Sequence, residues 1–585
     1  MADYYVDFNR GLDTNSGTSK NAAFKNLAKL TALSLPAGSN ILLANDSFWD
    51  TQETLSANNF LTLNNLTQGV SGNRVTMQGY DYSTATGTKP IVSYTMYPQS
   101  SWWAWDATVS AWYLQLATAI WGRGGISIVA NGVYALSAAD GMKLGNESTI
   151  NSIVGTNGVT ANTFRWVVPS TNSGTRLYVA GYGLSVTTNP TDYYGQGNIK
   201  IIPAGYLSMY QPTYARVTGI EFRGGGLYAT YGSGDVIKPS FELDNSAFND
   251  VGGIIQNVMT GATAGTLIDY NIHDITANNV SRMGIYLVGY TTGTIKNSNF
   301  SHGNLNQSSG GFVYVQLQKP SSNGNMLVTK NYAEYALNGN GERRFDGSCY
   351  YADYLDNGTV FDSNIAAHSY KATQGNGGAK TTWVRNIAYD CCKFGTWTDA
   401  QAVGTSNYVI DSNTWISSNT PNDYFHGDQE STTGSMPAIG MWTNTGIGIT
   451  GLQVTNNLLI ARGDFSLMGS IGTYSDTIMS GGLPIIKNNA LVGNFGSKPK
   501  IASISGTDYT STYPTQINGA FNNDISYVNG LPVILSPSSI AAGAGLQATT
   551  QETDYNGTVR FSPRSIGAME VSRPAQVFSP AWSGL

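Results

Sequence analysis

The chain has 585 residues, only 12% of them charged, and a formal net charge of −6. No run of Lys or Arg stands out, which argues against a nucleic-acid partner, and no stretch of about 18 apolar residues occurs, so no membrane insertion is expected. With 41% apolar residues, 68 glycines, 35 tyrosines and abundant Asn, Ser and Thr, the composition suits neither a helical bundle nor a disordered chain. It suits many short strands joined by polar turns.

In chain order, Tyr4-Tyr5-Val6-Asp7 reads as an opening strand rather than a signal peptide. Either the chain is not exported by the general secretory route, or it begins after processing. A loop with Gly11, Asp13, Asn15 and Gly17 follows, and Ala23, Phe24, Leu27 and Leu30 then recur at helical spacing. A short helix there would cover the open end of a solenoid, whose first coil otherwise exposes core and strand edges. Asp13 and Asn15 offer oxygens to calcium without the ligand count to specify it, and no cofactor or metal is otherwise expected. Residues 1–100 are read as this cap and the first coils. Residues 101–195 break the pattern: Trp102, Trp103, Trp105, Trp112 and Trp121 accompany strand-like Ile126-Ser127-Ile128-Val129 and Arg176-Leu177-Tyr178-Val179. They are read as a β-rich insertion.

Residues 196–495 carry a repeat. An apolar residue, two mostly polar ones, Asn or Ser, a variable residue and another apolar one recur, as in Leu243 to Phe248 and Phe361 to Ala366. The fourth position holds Ser246, Asn278, Ser298, Asn331, Asn364, Asn386, Asn413, Asn457 and Asn489. An inward Asn at a turn can bond the backbone of the coils above and below, satisfying groups the turn leaves unpaired. The shortest spacings, 20 residues from 278 to 298 and 22 from 364 to 386, suit one coil of three strands. Longer spacings imply loops on one face, where solenoids usually carry function. A second repeat follows, in Gly284-Ile285-Tyr286, Gly311-Phe312-Val313, Ser348-Cys349-Tyr350, Gly395-Thr396-Trp397 and Gly440-Met441-Trp442. Alternation would turn Ile285, Phe312, Cys349, Thr396 and Met441 inward and Tyr286, Val313, Tyr350, Trp397 and Trp442 outward. The three cysteines, Cys349, Cys391 and Cys392, make no disulfide framework and read as small buried residues. Residues 496–585 are read as a region closing the far end. The fold class is therefore all-β: a right-handed, single-stranded parallel β-helix with an N-terminal capping helix and a β-rich insertion.

The opening strand, loop and helix are followed by Gly72 to Met77, Lys89 to Val92, Tyr214 to Phe222 and the ending Ser565 to Glu570. In these features the sequence resembles the pectate-lyase-like right-handed β-helix proteins, over most of the chain. The resemblance implies action on polysaccharide, by lyases, glycoside hydrolases or phage tailspikes that digest bacterial surface glycans. It specifies fold better than reaction, since one fold hosts many functions.

Outward aromatics in register, namely Tyr286, Tyr350, Trp397 and Trp442, would form a platform for sugar rings; the alternative is that they stack on one another as external ladders. Polar groups concentrate between Asn331 and Asn457. Glu342, Asp346, Asp353 and Asp399 are candidates for the paired carboxylates of a hydrolase, with Asp428 and Glu430 behind them. Lys371 or His368 is the candidate base of a β-eliminating lyase, with Arg343 or Arg344 as carboxylate clamp. His426 and Asp428 are further substrate contacts. In-register stacking would bring Asp353, Lys371 and Asp399 together, and flanking aspartates would keep a lysine protonated, which favours the hydrolase.

A tailspike-like depolymerase, assembled as a homotrimer with other virion tail proteins and acting on capsule or O-antigen, is the expected role. A secreted bacterial lyase and a non-catalytic glycan receptor binder are the alternatives.

Overall fold

Alternating apolar residues on short strands put one side chain in two on the axis of a solenoid. In the computed structural model, three parallel sheets run along that axis. The structure describes residues 2–33, 35–50, 62–63, 69–82, 88–107, 111–116, 126–130, 133–135, 165–167, 175–180, 185–195, 197–203, 205–210, 212–231, 240–259, 268–280, 283–289, 291–303, 309–317, 326–336, 346–398, 405–417, 438–442, 449–465, 471–473, 485–495, 525–528, 531–535, 553–556, 559–560, 565 and 567–568. The first sheet has 13 strands, from Asp3–Val6 to Ile485–Lys487. The second runs from Phe48–Asp50 to Ala490–Phe495, and the third from Thr62–Leu63 to Ile471–Thr473.

Each coil visits the three sheets in turn. Val360–Asp362, Ile365–Ala367 and Lys371–Ala379 form one coil, and Thr382–Val384, Ile387–Cys391 and Lys393–Thr398 form the next. The two pair in register, with Phe361 opposite Trp383, Ala366 opposite Ala388 and Gln374 opposite Thr396. This is the parallel β-helix expected from the repeat, right-handed as parallel crossovers are. Stacked rings fill its axis: Phe222 on Phe248 at 5.0 Å, Phe361 on Trp383 at 5.7 Å.

The bend from the first sheet to the second is a two-residue turn. Its first residue takes a positive φ (Asn245, Asp274, Asn297, Lys330, Ser363, Arg385, Ser412, Asn456 and Asn488), and its second faces inward. From Asn331 to Asn489 the inward residue is asparagine. The Oδ1 of each accepts from the backbone N–H of the equivalent residue in the coil before, at 2.9 to 3.1 Å. Its amide donates to a carbonyl of that coil, as from Asn364 to Val328 at 2.8 Å. Ser246 and Ser298 do half of this work with one hydroxyl. Asn278 is a correction. In its coil the inward turn position belongs to Ile275, whose N–H is met by Ser298 Oγ and whose carbonyl receives Asn299. Asn278 lies three residues on, exposed, in an outward column between Asn249 and Ser301.

At the N-terminus the expected helix is two short 3-10 turns, Lys20–Ala22 and Leu27–Ala32. The interruption has a cause. Phe24 N–H donates to Tyr5 O and Phe24 O accepts from Asp7, so Phe24 is drawn into a bridge with the opening strand. Ala23, Phe24, Leu27 and Leu30 are buried, as their spacing requires. The loop is closed by its own bonds: Asp13 accepts from Lys25 N, Asn26 N and Asn26 Nδ2, and Asn15 donates to Ala23 O. Arg10 binds Asp7 and Asp46 together.

The bond from Arg10 holds the Asp46 carboxyl below its ordinary range. Burial works to raise Asp13, but the bonds from Asn26 and Lys25 outweigh it and lower that carboxyl too. A carboxyl depressed in the fold contributes stability that is complete above its unfolded value of about 3.9 and is lost as pH falls through the folded value. We therefore expect the cap to loosen first on acidification. Below about pH 4, hydrogen exchange in residues 4–33 should rise before exchange in the sheets, and Asp46→Asn should loosen the cap already at neutral pH. Equal loss of protection in cap and sheets would refute this.

Antiparallel strands interrupt one early coil. After Ile91–Ser93 in the second sheet, the chain reaches the third at Gly205–Tyr210. Between them Trp103–Asp106, Ala111–Leu116, Thr175–Ala180 and Arg165–Val167 form a four-stranded antiparallel sheet, and Ile126–Ala130 pairs with Val133–Ala135 and Ile199–Pro203. Near the C-terminus the chain returns along the outer face of the second sheet. Arg385 Nη1 donates to Thr553 O at 2.8 Å, Ala568 N to Thr414 Oγ1 at 2.9 Å and Gly567 N to Asn456 O at 2.7 Å. Ala568 packs there against Ile365, Ile387, Ile416, Leu458 and Ile460.

Candidate functional site

On the outer face of the third sheet Tyr286, Tyr314 and Tyr351 stand in register. Their ring centroids are 5.0 Å and 4.9 Å apart. Two residues beyond Tyr351 on the same face is Asp353, opposite Asn376. The Tyr314 phenol donates to Asp353 Oδ2, and Asn376 Nδ2 donates to the Tyr351 oxygen at 3.2 Å. Tyr314, Tyr351 and Asp353 are buried although they point away from the axis, while Tyr286 is half-buried. Burial, and then the charge of Asp353, push the Tyr314 hydroxyl far above the ordinary phenol range; the same two causes raise Tyr286.

The column continues through Gln374 and Thr396. Lys371 Nζ donates to Gln374 Oε1 at 2.8 Å and to Thr396 Oγ1 at 3.3 Å. Lys393 lies in register with Lys371, one coil on. Both ammonium groups are buried, 5.9 Å and 5.5 Å from the centroid of the Tyr370 ring.

Several expected positions change. Tyr350 and Trp397 are not a sugar platform. Tyr350 is inward, its hydroxyl 3.0 Å and 2.9 Å from the carbonyl oxygens of Asn331 and Ile365, and Trp397 is inward against Trp383 and Phe394. Val313 is likewise inward and Thr396 outward. The register gives the reason: Ile285 stands opposite Val313, Tyr350, Thr373 and Gly395 in successive coils. Aligning Gly284 with Gly311 and Gly395 slips the strands by one residue, and a one-residue slip exchanges the two faces. Tyr286 faces out as expected, and it stacks on Tyr314 as an external ladder; Trp442 stands in register with Thr398, one residue beyond the pairing of the inward Trp397 with Met441, on the outward phase that the alternation gave it.

Asp353 and Lys371 are not register neighbours. Asp353 faces Asn376, whereas Lys371 faces Ser348 and Lys393. His368 sits at the bend into the third sheet. Its ring stacks on Tyr335 at 5.0 Å, Tyr335 stacks on His302 at 4.7 Å, and His368 Nδ1 lies 2.7 Å from Asp390 Oδ2. His368 is thus three residues from Lys371 in the chain but engaged on the outer side of the second sheet. Asp346 opens the strand Asp346–Asn357, and Trp442 ends Ile439–Trp442. Glu342, Arg343, Arg344, Asp399, His426, Asp428 and Glu430 lie outside the described residues. Sequence reasoning missed Tyr314, Tyr351, Gln374, Asn376 and Lys393. The correct alternation phase would have found the tyrosines.

Glu242, Asp244 and His273 converge on the outer face of the first sheet, with ligand-capable atoms within 4.8 Å of one another. Arg216 Nε lies 2.7 Å from Asp244, and Arg74 lies 3.5 Å from Glu242. Two guanidinium groups already balance these carboxylates, so the cluster is an ion-pair network.

No family model matches the chain, and no curated protein matches it. Among solved structures the chain is similar to a complex of XylC with xylose, at 12% identity and a TM-score of 0.43, covering 84% of each chain. It is similar to a GH136 lacto-N-biosidase from Eubacterium ramulus at 12% identity and a TM-score of 0.36, covering 84% of this chain and 68% of that one. With the pectate lyase Pel9A the identity is 14% and the TM-score 0.34, over 97% of this chain and 96% of that one.

Proposed function

We propose that this chain degrades polysaccharide, as a tailspike-like depolymerase cleaving a bacterial capsule or O-antigen by glycoside hydrolysis. The observation that carries the reading is Asp353, a buried carboxylate on the outer face of the third sheet, fixed by Tyr314 and standing opposite Asn376. A carboxylate away from the core needs a use that compensates its desolvation. Asp353 supplies one member of the pair, and Glu342, Asp346 or Asp399, from the same stretch of chain, supplies the other. The homotrimer, seated among other virion tail proteins, is supported by an outward row on the first sheet. It runs in register through Leu327, Val360, Thr382, Val409, Gln453 and Ile485, with Leu327 36% and Ile485 46% exposed.

One observation favours a second reading, β-elimination on a uronic-acid glycan. The register partners of Lys371 are Ser348 and Lys393, and a second buried lysine in register is the kind of like charge that disfavours a lysine's charged form. A neutral Lys371 would serve as base.

The test incubates the full chain with a panel of capsular and O-antigen polysaccharides, following reducing ends and the absorbance of an unsaturated uronate. Reducing ends alone, abolished in Asp353→Asn, are expected. New absorbance, abolished in Lys371→Met and surviving in Asp353→Asn, would move the assignment to elimination. Binding of a glycan without either signal would leave a receptor-binding protein and sink the enzyme.

A further inference from the structure

We infer that Tyr314 is a positioning residue whose phenol holds Asp353 aligned and ionised, which makes Asp353 the nucleophile or base of the carboxylate pair and leaves the acid to its partner. The inference rests on Asp353 being a reacting group.

The argument is geometric. Packing in the column asks only for rings, and a phenylalanine would stack on Tyr286 and Tyr351 as well as Tyr314 does. The hydroxyl is what differs, and it is aimed. One neighbouring ring is tilted at 39° and the other meets Tyr314 edge-on at 72°, so the phenol has its direction fixed before any substrate arrives. It ends on Asp353 Oδ2. A buried phenol requires an acceptor and a buried carboxylate requires donors, so the bond answers both needs. A donor to a carboxylate favours its charged form. The role follows: in a pair that must divide into an acid and an ionised member, Asp353, whose charge is opposed by burial and supported by the phenol, takes the ionised place. Asn376 donates to Tyr351 and thereby steadies the ring against which Tyr314 is braced.

The test compares the full chain with Tyr314→Phe, Asp353→Asn and Tyr332→Phe on a polysaccharide that the wild type cleaves. Tyr332→Phe also removes a phenol–carboxylate bond, to Glu334 on the second sheet, and serves as the control. The acidic limb of the pH–rate profile should move up by about one to two pH units in Tyr314→Phe, the size of a lost bond to a charged group. It should stay in place in Tyr332→Phe, and Asp353→Asn should be inactive. 3-Fluorotyrosine at 314, nearly the same shape and a stronger donor, should move the limb the opposite way; it carries the test if the phenylalanine variant does not fold. The 13C carboxyl signal of Asp353, assigned by its loss in Asp353→Asn, should titrate with the same shifts in the absence of substrate. An unmoved limb and titration beside an inactive Asp353→Asn would overturn the role of Tyr314 alone. An active Asp353→Asn would remove the reading of Asp353 and this inference with it.

Discussion

Replacing Asn386 with alanine should lower the stability of the helix by about 4 kcal/mol, several times the cost of a typical surface change. Asn386 stands mid-ladder. Its Oδ1 accepts from Asn364 N at 3.0 Å and Asn364 Nδ2 at 3.1 Å, while its amide donates to Phe361 O at 2.9 Å and Asn413 Oδ1 at 3.0 Å. Truncation strands a backbone N–H and a backbone carbonyl in a site that water does not reach, each costing about 1–3 kcal/mol. Serine should cost less, because Ser298 already serves a ladder position with one hydroxyl. Guanidinium unfolding followed by far-ultraviolet dichroism, with the unfolding rate measured alongside, checks this. A midpoint equal to that of the wild type would show that the ladder bonds contribute nothing net.

Trp397→Ala should be destabilising by about 3–5 kcal/mol, the range for removing a large buried ring. The side chain is fully buried, edge-on to Trp383 at 5.3 Å and near Phe394 at 6.1 Å. Its fit depends on a neighbouring glycine: a Cβ on Gly375 would come within 2.6 Å of the Trp397 ring and 2.8 Å of Trp383. The change therefore separates the two roles an aromatic repeat can have. A core ring lost should lower the unfolding midpoint, with glycan affinity per folded molecule preserved. A platform ring lost would weaken affinity and spare the midpoint, and that result would contradict the inward placement.

The sequence makes the helix readable because its construction is repetitive and costly to evade. Every coil must satisfy the same turn with the same side chain, so Asn331 through Asn489 announce themselves. The slip at Asn278 arose where the rule lapsed: Ile275 fills the turn and an outward asparagine three residues later imitates the pattern. The aromatic repeat was harder. Its strands follow a second bend whose positive-φ residues, His302, Tyr335, His368 and Asp390, add residues that alternation does not count. The phase was right at Tyr286 and wrong at Tyr350 and Trp397. The partnership of Lys371 with Lys393, and of Asp353 with Tyr314, depends on register between strands, which is a property of pairs of segments. Outward groups that are nonetheless buried follow no period at all.

The returning C-terminal segment changes the thermodynamic character of the solenoid. A stack of coils with only nearest-neighbour contacts resembles a one-dimensional chain, free to fray from either end or to open in the middle. Bonds from Thr553, Gly567 and Ala568 reach Arg385, Asn456 and Thr414, in three successive coils, so opening one of them strains the other two. These residues are also synthesised after every coil they tie. During synthesis the isoleucine-rich flank they meet lies uncovered, and the late coils gain their full cooperativity only once these later residues have emerged.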